Sequence, residues 1–120
     1  MTSRTYLDFL EDIRSAALRA QRFIGGMSRA GFEADEKTAY AVVRALEIIG
    51  EASKRIPQDL RDKSPEIPWR SMSGIRDKLI HDYVSVNLEI VWNTVMKDLP
   101  TLVPQIERLI EAIGNEPVKE

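Results

Sequence analysis

Residues 6–24 read YLDFLEDIRSAALRAQRFI, and Gly25-Gly26 follow directly. The apolar side chains of this stretch recur at steps of three and four residues, which is the period of an amphipathic helix with one buried face. A second run with this period begins near Asp35, a residue type that caps free backbone amides, and stops before Pro57. We therefore expect two long helices that pack as an antiparallel hairpin.

The rest of the chain continues the helical pattern, and no segment of the sequence alternates with the period of a strand. Residues 57–67 are typical of a surface connection with one short helical turn. A third helix is predicted from Pro68, with side chains as far as Ile80 facing the core and the other flank open to solvent. Asn87 is expected to cap a fourth helix, and Pro100 with Pro104 to restart the chain as a last one. The sequence thus predicts an all-α antiparallel bundle of about five helices. Residues 1–115 are expected to form this single domain, with residues 116–120 as a frayed tail.

Composition narrows the class of protein. With 120 residues, of which 43% are hydrophobic, the chain can form one modest core without disulfides or a structural metal. The absence of cysteine excludes thiolate zinc sites and thiol nucleophiles, and it suits a reducing cytoplasm. No apolar run is of signal-peptide type or long enough to span a membrane. We expect a soluble, cytoplasmic protein without a membrane partner.

Charge is distributed unevenly along the chain. The formal net charge of −2 argues against a generally basic nucleic-acid coat. From Lys54 to Lys78, however, the sequence contains seven basic and four acidic residues. From Asn87 onward it contains three basic and six acidic residues. The basic segment suits contact with a polyanion, although ordinary variation of a solvated surface explains the swing equally well.

The one histidine of the chain lies in the sequence Arg76-Asp77-Lys78-Leu79-Ile80-His81-Asp82-Tyr83. An imidazole moves protons near neutral pH and a guanidinium holds phosphate, so this pair suits phosphodiester chemistry. On an ideal helix Arg76 and Tyr83 share a face, but His81 lies about 140° away from Arg76. The two converge if the arginine reaches around, if the helix ends near His81, or if a second protomer completes the site. Taken alone, a histidine near a helix end is more often a polar surface residue or a cap.

With its R-x4-H-x-Y spacing, the chain resembles the HEPN superfamily, and more narrowly the HepT-like toxins encoded beside a minimal nucleotidyltransferase (MNT) antitoxin. The similarity covers about residues 4–113 and is also carried by Leu46–Ala52, Ile67-Pro68-Trp69, Gly74 and Val91-Trp92. Asp77 stands where such toxins most often have asparagine.

The resemblance implies the toxin of a type II/VII-like toxin–antitoxin pair, acting as a homodimeric endoribonuclease on tRNA or mRNA. Arg76 and His81 would be catalytic, with Arg76 on the scissile phosphate and His81 moving the proton of the attacking ribose 2′-hydroxyl. Asp77, four residues before His81, would orient the imidazole. Cleavage would need no cofactor and no metal. The MNT partner would silence the toxin by transferring AMP from ATP to Tyr83.

Other interpretations of the same residues stay open. Tyr83 also suits stacking on a base or packing at an interface. The chain would alternatively be a non-catalytic scaffold of an MNT complex in which Arg76 grips a nucleotide phosphate, or a purely structural helical dimer.

Two further features have a structural and a functional interpretation. Glu47 and Glu51 have the i, i+4 spacing of a metal-binding pair, but no histidine or further carboxylate completes a ligand set nearby. We expect these carboxylates to form salt bridges, and Gly50 between them to permit close helix approach. Trp69 and Trp92 have the aromatic rings that stack on bases, yet their helical spacing favours core packing.

Overall fold

The structure, a computed structural model, describes residues 5–80 and 85–114, and these form eight α-helices, one π segment and a single isolated β-bridge. The all-α class predicted from the sequence is confirmed. Along the chain the helices are α1 (Tyr6–Ile24), α2 (Arg29–Ala34), α3 (Glu36–Lys54), α4 (Gln58–Asp62), α5 (Trp69–Ser73), α6 (Ile75–Leu79), α7 (Leu88–Asn93) and α8 (Leu99–Gly114). The π segment, Thr94–Asp98, joins α7 to α8.

Helices α1 and α3 form the predicted antiparallel hairpin. Between them the chain turns at Gly26, which has a positive φ of 79°. The backbone amide and hydroxyl of Thr38 donate hydrogen bonds of 3.1 and 2.8 Å to the Asp35 carboxylate, which caps α3. These bonds hold the pKa of Asp35 below its ordinary value. At the other end of α3, the guanidinium of Arg55 lies 6.0 Å from the ring centre of Phe9, near the start of α1.

The core lies between α1, α3 and α8, and the shorter helices cover its edges. Outside the core, Arg14 of α1 and Glu107 of α8 join the two helices with an ion pair of 2.9 Å. In residues 5–80 and 85–114, no helix is both long enough and apolar enough to cross a membrane. The largest fully buried side chains are Leu10, Ile13, Phe32, Val42, Leu46, Ile49, Ile67, Leu79, Val91, Val95, Leu99 and Ile106.

The predicted third helix is two short helices, and it ends earlier than the sequence suggested. It breaks at Gly74 into α5 and α6, and α6 stops at Leu79. Ile80 is already extended, with φ −111° and ψ 114°, and forms a bridge with Val86. The Asn87 amide donates a 2.7 Å hydrogen bond to the Leu79 carbonyl, which fixes this return of the chain. The prediction of one unbroken helix that includes Ile80 was therefore wrong, since the β-branched Ile80 and Val86 pair as extended backbone.

The predicted last helix is confirmed as α8, but Pro100 and Pro104 do not restart the chain. Residues 88–114 form one continuous helical run, and Pro104 lies inside α8. The amide of Leu99 donates to the carbonyl of Thr94, five residues earlier, which is the wide turn of a π-helix. Pro100 has no amide hydrogen to donate, and its ring would clash with a carbonyl four residues earlier in a regular helix. A wide turn directly before it relieves that clash.

Candidate functional site

Gly50 brings the segment that carries Arg76 directly against α3. A β-carbon at Gly50 would lie 3.0 Å from Cγ2 of Ile75 and 3.1 Å from the backbone oxygen of Met72. No larger residue fits that space without moving its neighbours, so the predicted role of Gly50 in close helix approach is confirmed. This contact packs α5 and α6 against α3. It thereby fixes the backbone position of Arg76, the residue after Ile75.

Arg76 lies beside a carboxylate of α3 and remains open to solvent. Its Nε atom is 3.8 Å from Oε2 of Glu47, and the side chains of Arg76 and Glu47 are 67% and 26% exposed. An ion pair this open contributes little stability, because water screens both charges. The guanidinium is thus held near α3 while its remaining donors stay accessible to an anion.

A groove of about 190 Å³ surrounds this ion pair, between α3 and the α5–α6 segment. Glu51 forms a second ion pair in it, with Lys54 at 3.5 Å. The salt bridges predicted for Glu47 and Glu51 are therefore confirmed. Residues 5–80 and 85–114 contain no group of three or more His, Cys, Asp or Glu side chains placed to hold a metal ion. The charged or polar side chains that line the groove are Arg44, Glu47, Glu51, Lys54, Ser73 and Arg76.

A second cleft, of about 500 Å³, lies on the other flank of α6. Ile75 and Met72 contribute to its apolar floor, Lys78 and Lys97 to its polar lining, and the π segment to one wall. Helix α6 therefore separates two concave surfaces. Arg76 faces the smaller one and Lys78 the larger, as expected for residues two apart on a helix.

Of the four site residues predicted from the sequence, the structure describes Arg76 and Asp77. His81 and Tyr83 lie outside the described residues. Asp77 is exposed on α6, but the helix ends at Leu79 and Ile80 is extended. Asp77 would lie beside His81, and His81 apart from Arg76, as predicted, only on a helix that continues through residue 81. Neither inference holds in this fold.

Two lining residues were missed by the reasoning from sequence. Arg44 lies three residues before Glu47, so its position on the same face of α3 was available from helical periodicity alone. Ser73 had no such signal, because its place in the groove depends on how α5 docks on α3.

The two tryptophans pack in the protein rather than face a ligand. Trp69 is 6% exposed, and its indole N–H donates to the Ser64 carbonyl at 3.1 Å. The ring of Trp92 lies against that of Phe32, with 5.6 Å between their centres. The preference for core packing over base stacking is confirmed.

Comparison with known proteins places the chain among enzymes that act on RNA. The family model described as "Ribonuclease HepT-like" matches residues 13–109. A protein of Thermococcus cleftensis named "Probable ribonuclease HepT" is 48% identical over 106 residues, which is 88% of this chain and 96% of the relative. A "Putative RNase" of Methanocaldococcus jannaschii is 42% identical, over 90% of this chain and 89% of its own length.

A further relative, a "Putative RNase" of Caldanaerobacter subterraneus, is 38% identical over 92% of this chain and 96% of its own length. No solved structure matches the chain. The predicted membership in the HEPN-type ribonucleases is confirmed by the family match together with the all-helical fold. The chain belongs to the ribonuclease HepT-like family.

Proposed function

We propose that this protein is an endoribonuclease that cuts single-stranded or loop RNA, such as tRNA or mRNA, at a site built around Arg76 and His81. The observation that carries the proposal is the position of Arg76. Within the matched residues 13–109, it presents a guanidinium that is 67% exposed at the rim of a groove, five residues before the one histidine of the chain.

In the proposed reaction the nucleophile is the ribose 2′-hydroxyl of the substrate. His81 takes its proton or returns one to the leaving 5′-oxygen, and Arg76 stabilises the negative charge that grows on the phosphate. The products are a 2′,3′-cyclic phosphate, or its opened form, and a 5′-hydroxyl end. Because RNA supplies the attacking oxygen, the scheme requires no metal-bound water and DNA is resistant. Asp77 is proposed to support the site from the exposed face of α6.

We further propose that the enzyme acts as a homodimer and as the cytoplasmic toxin of a toxin–antitoxin pair. In this proposal an MNT nucleotidyltransferase transfers AMP from ATP to the Tyr83 hydroxyl and releases pyrophosphate. The added AMP carries bulk and negative charge, which would compete with the RNA backbone for Arg76. Mass spectrometry after co-expression with the partner tests this step, which requires a mass increase of one AMP that Tyr83→Phe abolishes.

The ribonuclease proposal is tested by incubating purified protein, with Tyr83 shown by mass to be unmodified, with total tRNA in EDTA. Arg76→Ala and His81→Ala are the test variants. Arg70→Ala is the matched control, because Arg70 is an exposed arginine of the neighbouring helix α5. We expect fragments with cyclic-phosphate and 5′-hydroxyl ends from the unsubstituted protein and from Arg70→Ala, and intact RNA from both test variants.

Two outcomes contradict the proposal. Cleavage that persists in Arg76→Ala and His81→Ala indicates a contaminating nuclease. Intact RNA with the unmodified, folded protein favours the scaffold interpretation, in which Arg76 binds a nucleotide phosphate without cleaving RNA.

A further inference from the structure

We propose that Tyr40 and Arg44 of α3 extend the RNA site, with Tyr40 stacking on an unpaired base and Arg44 binding a backbone phosphate next to the scissile one. The inference rests on the proposed ribonuclease function, and it assigns binding residues outside the R-x4-H-x-Y motif.

Tyr40 and Arg44 lie on the face of α3 that also carries Glu47, the ion-pair partner of Arg76. Positions 40, 44 and 47 are spaced by four and three residues, so their side chains lie within about 60° of one another around the helix. Tyr40 is about 6 Å along the axis from Arg44, and Glu47 is about 4.5 Å farther. Glu47 contacts Arg76. A strand of RNA with its phosphate at Arg76 therefore passes Arg44 before Tyr40.

The charges of the groove leave Arg44 available to a phosphate. Both groove carboxylates are neutralised locally, since Glu47 pairs with Arg76 and Glu51 with Lys54. Arg44 is exposed and forms no ion pair with the residues that the structure describes. A phosphate oxygen would pair with the Arg44 guanidinium.

Tyr40 has the exposure expected of a stacking platform. Tyr40 is 69% exposed, the largest value among the large hydrophobic residues that the structure describes. Aromatic rings stack on unpaired bases without sequence preference, because each base has a π-face. Single-stranded RNA supplies such bases, whereas a paired helix keeps them stacked internally. The exposed aromatic ring and the guanidinium without an ion pair among the described residues together favour single-stranded RNA as the occupant of this face.

The test measures binding of a fluorescein-labelled single-stranded RNA to His81→Ala protein by fluorescence anisotropy, over a series of salt concentrations. Added to this parent, Tyr40→Ala should weaken binding about ten-fold, and Tyr40→Phe should retain it because stacking needs the ring alone. Arg44→Ala should weaken binding and make the negative slope of log K against log salt shallower by about 0.7, the value for one lost contact with a single strand. The matched controls are Tyr6→Ala and Arg108→Ala, whose exposed residues lie on α1 and α8; both should bind as the parent does.

The inference is overturned if Tyr40→Ala and Arg44→Ala bind like the controls while the parent binds RNA. It is also overturned if weakened binding accompanies dissociation of the protein in sedimentation experiments, since the face then joins two copies of the chain. A parent that binds no RNA contradicts the proposed function itself and removes the basis of this inference. Binding lost with an unchanged oligomeric state supports it.

Discussion

Substituting Gly50 by alanine should destabilise the protein, although the same change in an exposed helix stabilises it. Alanine is favoured over glycine in a helix interior by about 1 kcal/mol. At Gly50, however, the added methyl group would lie 3.0 Å from Cγ2 of Ile75 and 3.1 Å from the backbone oxygen of Met72. Ile75 is buried and β-branched, so it has few other rotamers, and a backbone carbonyl moves only with its helix.

Overpacking of this kind costs about 1–3 kcal/mol. After the helix-propensity gain is subtracted, we expect a net loss of about 1 kcal/mol in the free energy of unfolding. In urea denaturation followed by circular dichroism, that loss lowers the midpoint by about 0.3–1 M for a protein of this size. Gly50→Val should lose more, because its two methyl groups need more room at the same contact.

Gly114→Ala is the matched control. Gly114 is the last residue of α8, and a β-carbon there meets nothing within 4 Å. Its urea midpoint should equal or slightly exceed that of the unsubstituted protein. If Gly50→Ala is as stable as this control, α5 and α6 pack loosely enough on α3 to accept a methyl group. The contact at Gly50 then does not fix the position of Arg76.

Other expected outcomes concern single contacts. Arg61→Ala should lower the free energy of unfolding by about 1–3 kcal/mol in urea denaturation. The Arg61 guanidinium donates hydrogen bonds of 2.6 Å to the Ser53 carbonyl, in the last turn of α3, and of 3.0 Å to the Ile56 carbonyl, just beyond it. An unchanged urea midpoint would contradict this role. The lowered pKa of Asp35 means that its ionised form contributes stability above the ordinary aspartate pKa of about 3.9, and that this contribution disappears as pH falls through the lowered value. The unsubstituted protein should therefore exceed Asp35→Asn in urea midpoint by more at pH 6 than at pH 3. The same difference at both pH values would show that ionised Asp35 does not stabilise the fold. Glu47→Gln should tighten RNA binding up to about five-fold in anisotropy titrations, because it frees Arg76 from a competing anion; weaker binding would instead show that Glu47 orients the arginine.

The long helices were predictable because local signals and burial agree in them. The three- and four-residue steps of α1, the cap at Asp35 and the stop before Pro57 all act within one or two turns of the chain. The π segment carried no comparable signal. Pro100 does mark a disturbance of the helix, but only the packing of α7 and α8 against the same core decides whether the chain bends away or widens one turn.

The residue types of the candidate site were also readable from the sequence, whereas its geometry was not. A helix of five residues has no stability of its own in water, so α6 exists where tertiary contacts hold it. The predicted positions of residues 76–83 required a helix that continues through all of them. Helix α6 instead ends at Leu79, because Ile80 pairs with Val86. Val86 lies outside the motif, so the motif gave no sign of this pairing.

This early end of α6 changes how Arg76 and His81 can meet. The sequence allowed three arrangements. In two of them, Arg76 reaches around the helix or a second protomer completes the site, because a continuous helix would place Arg76 and His81 about 140° apart. With Ile80 extended, that separation no longer applies, so helical geometry alone gives no reason to invoke a second protomer. A dimer is then not needed to explain convergence. Mixing His81→Ala with Arg76→Ala protein tests the difference: cleavage restored in the mixture requires the pair to come from two protomers, and a mixture as inactive as its parts indicates a site completed within one.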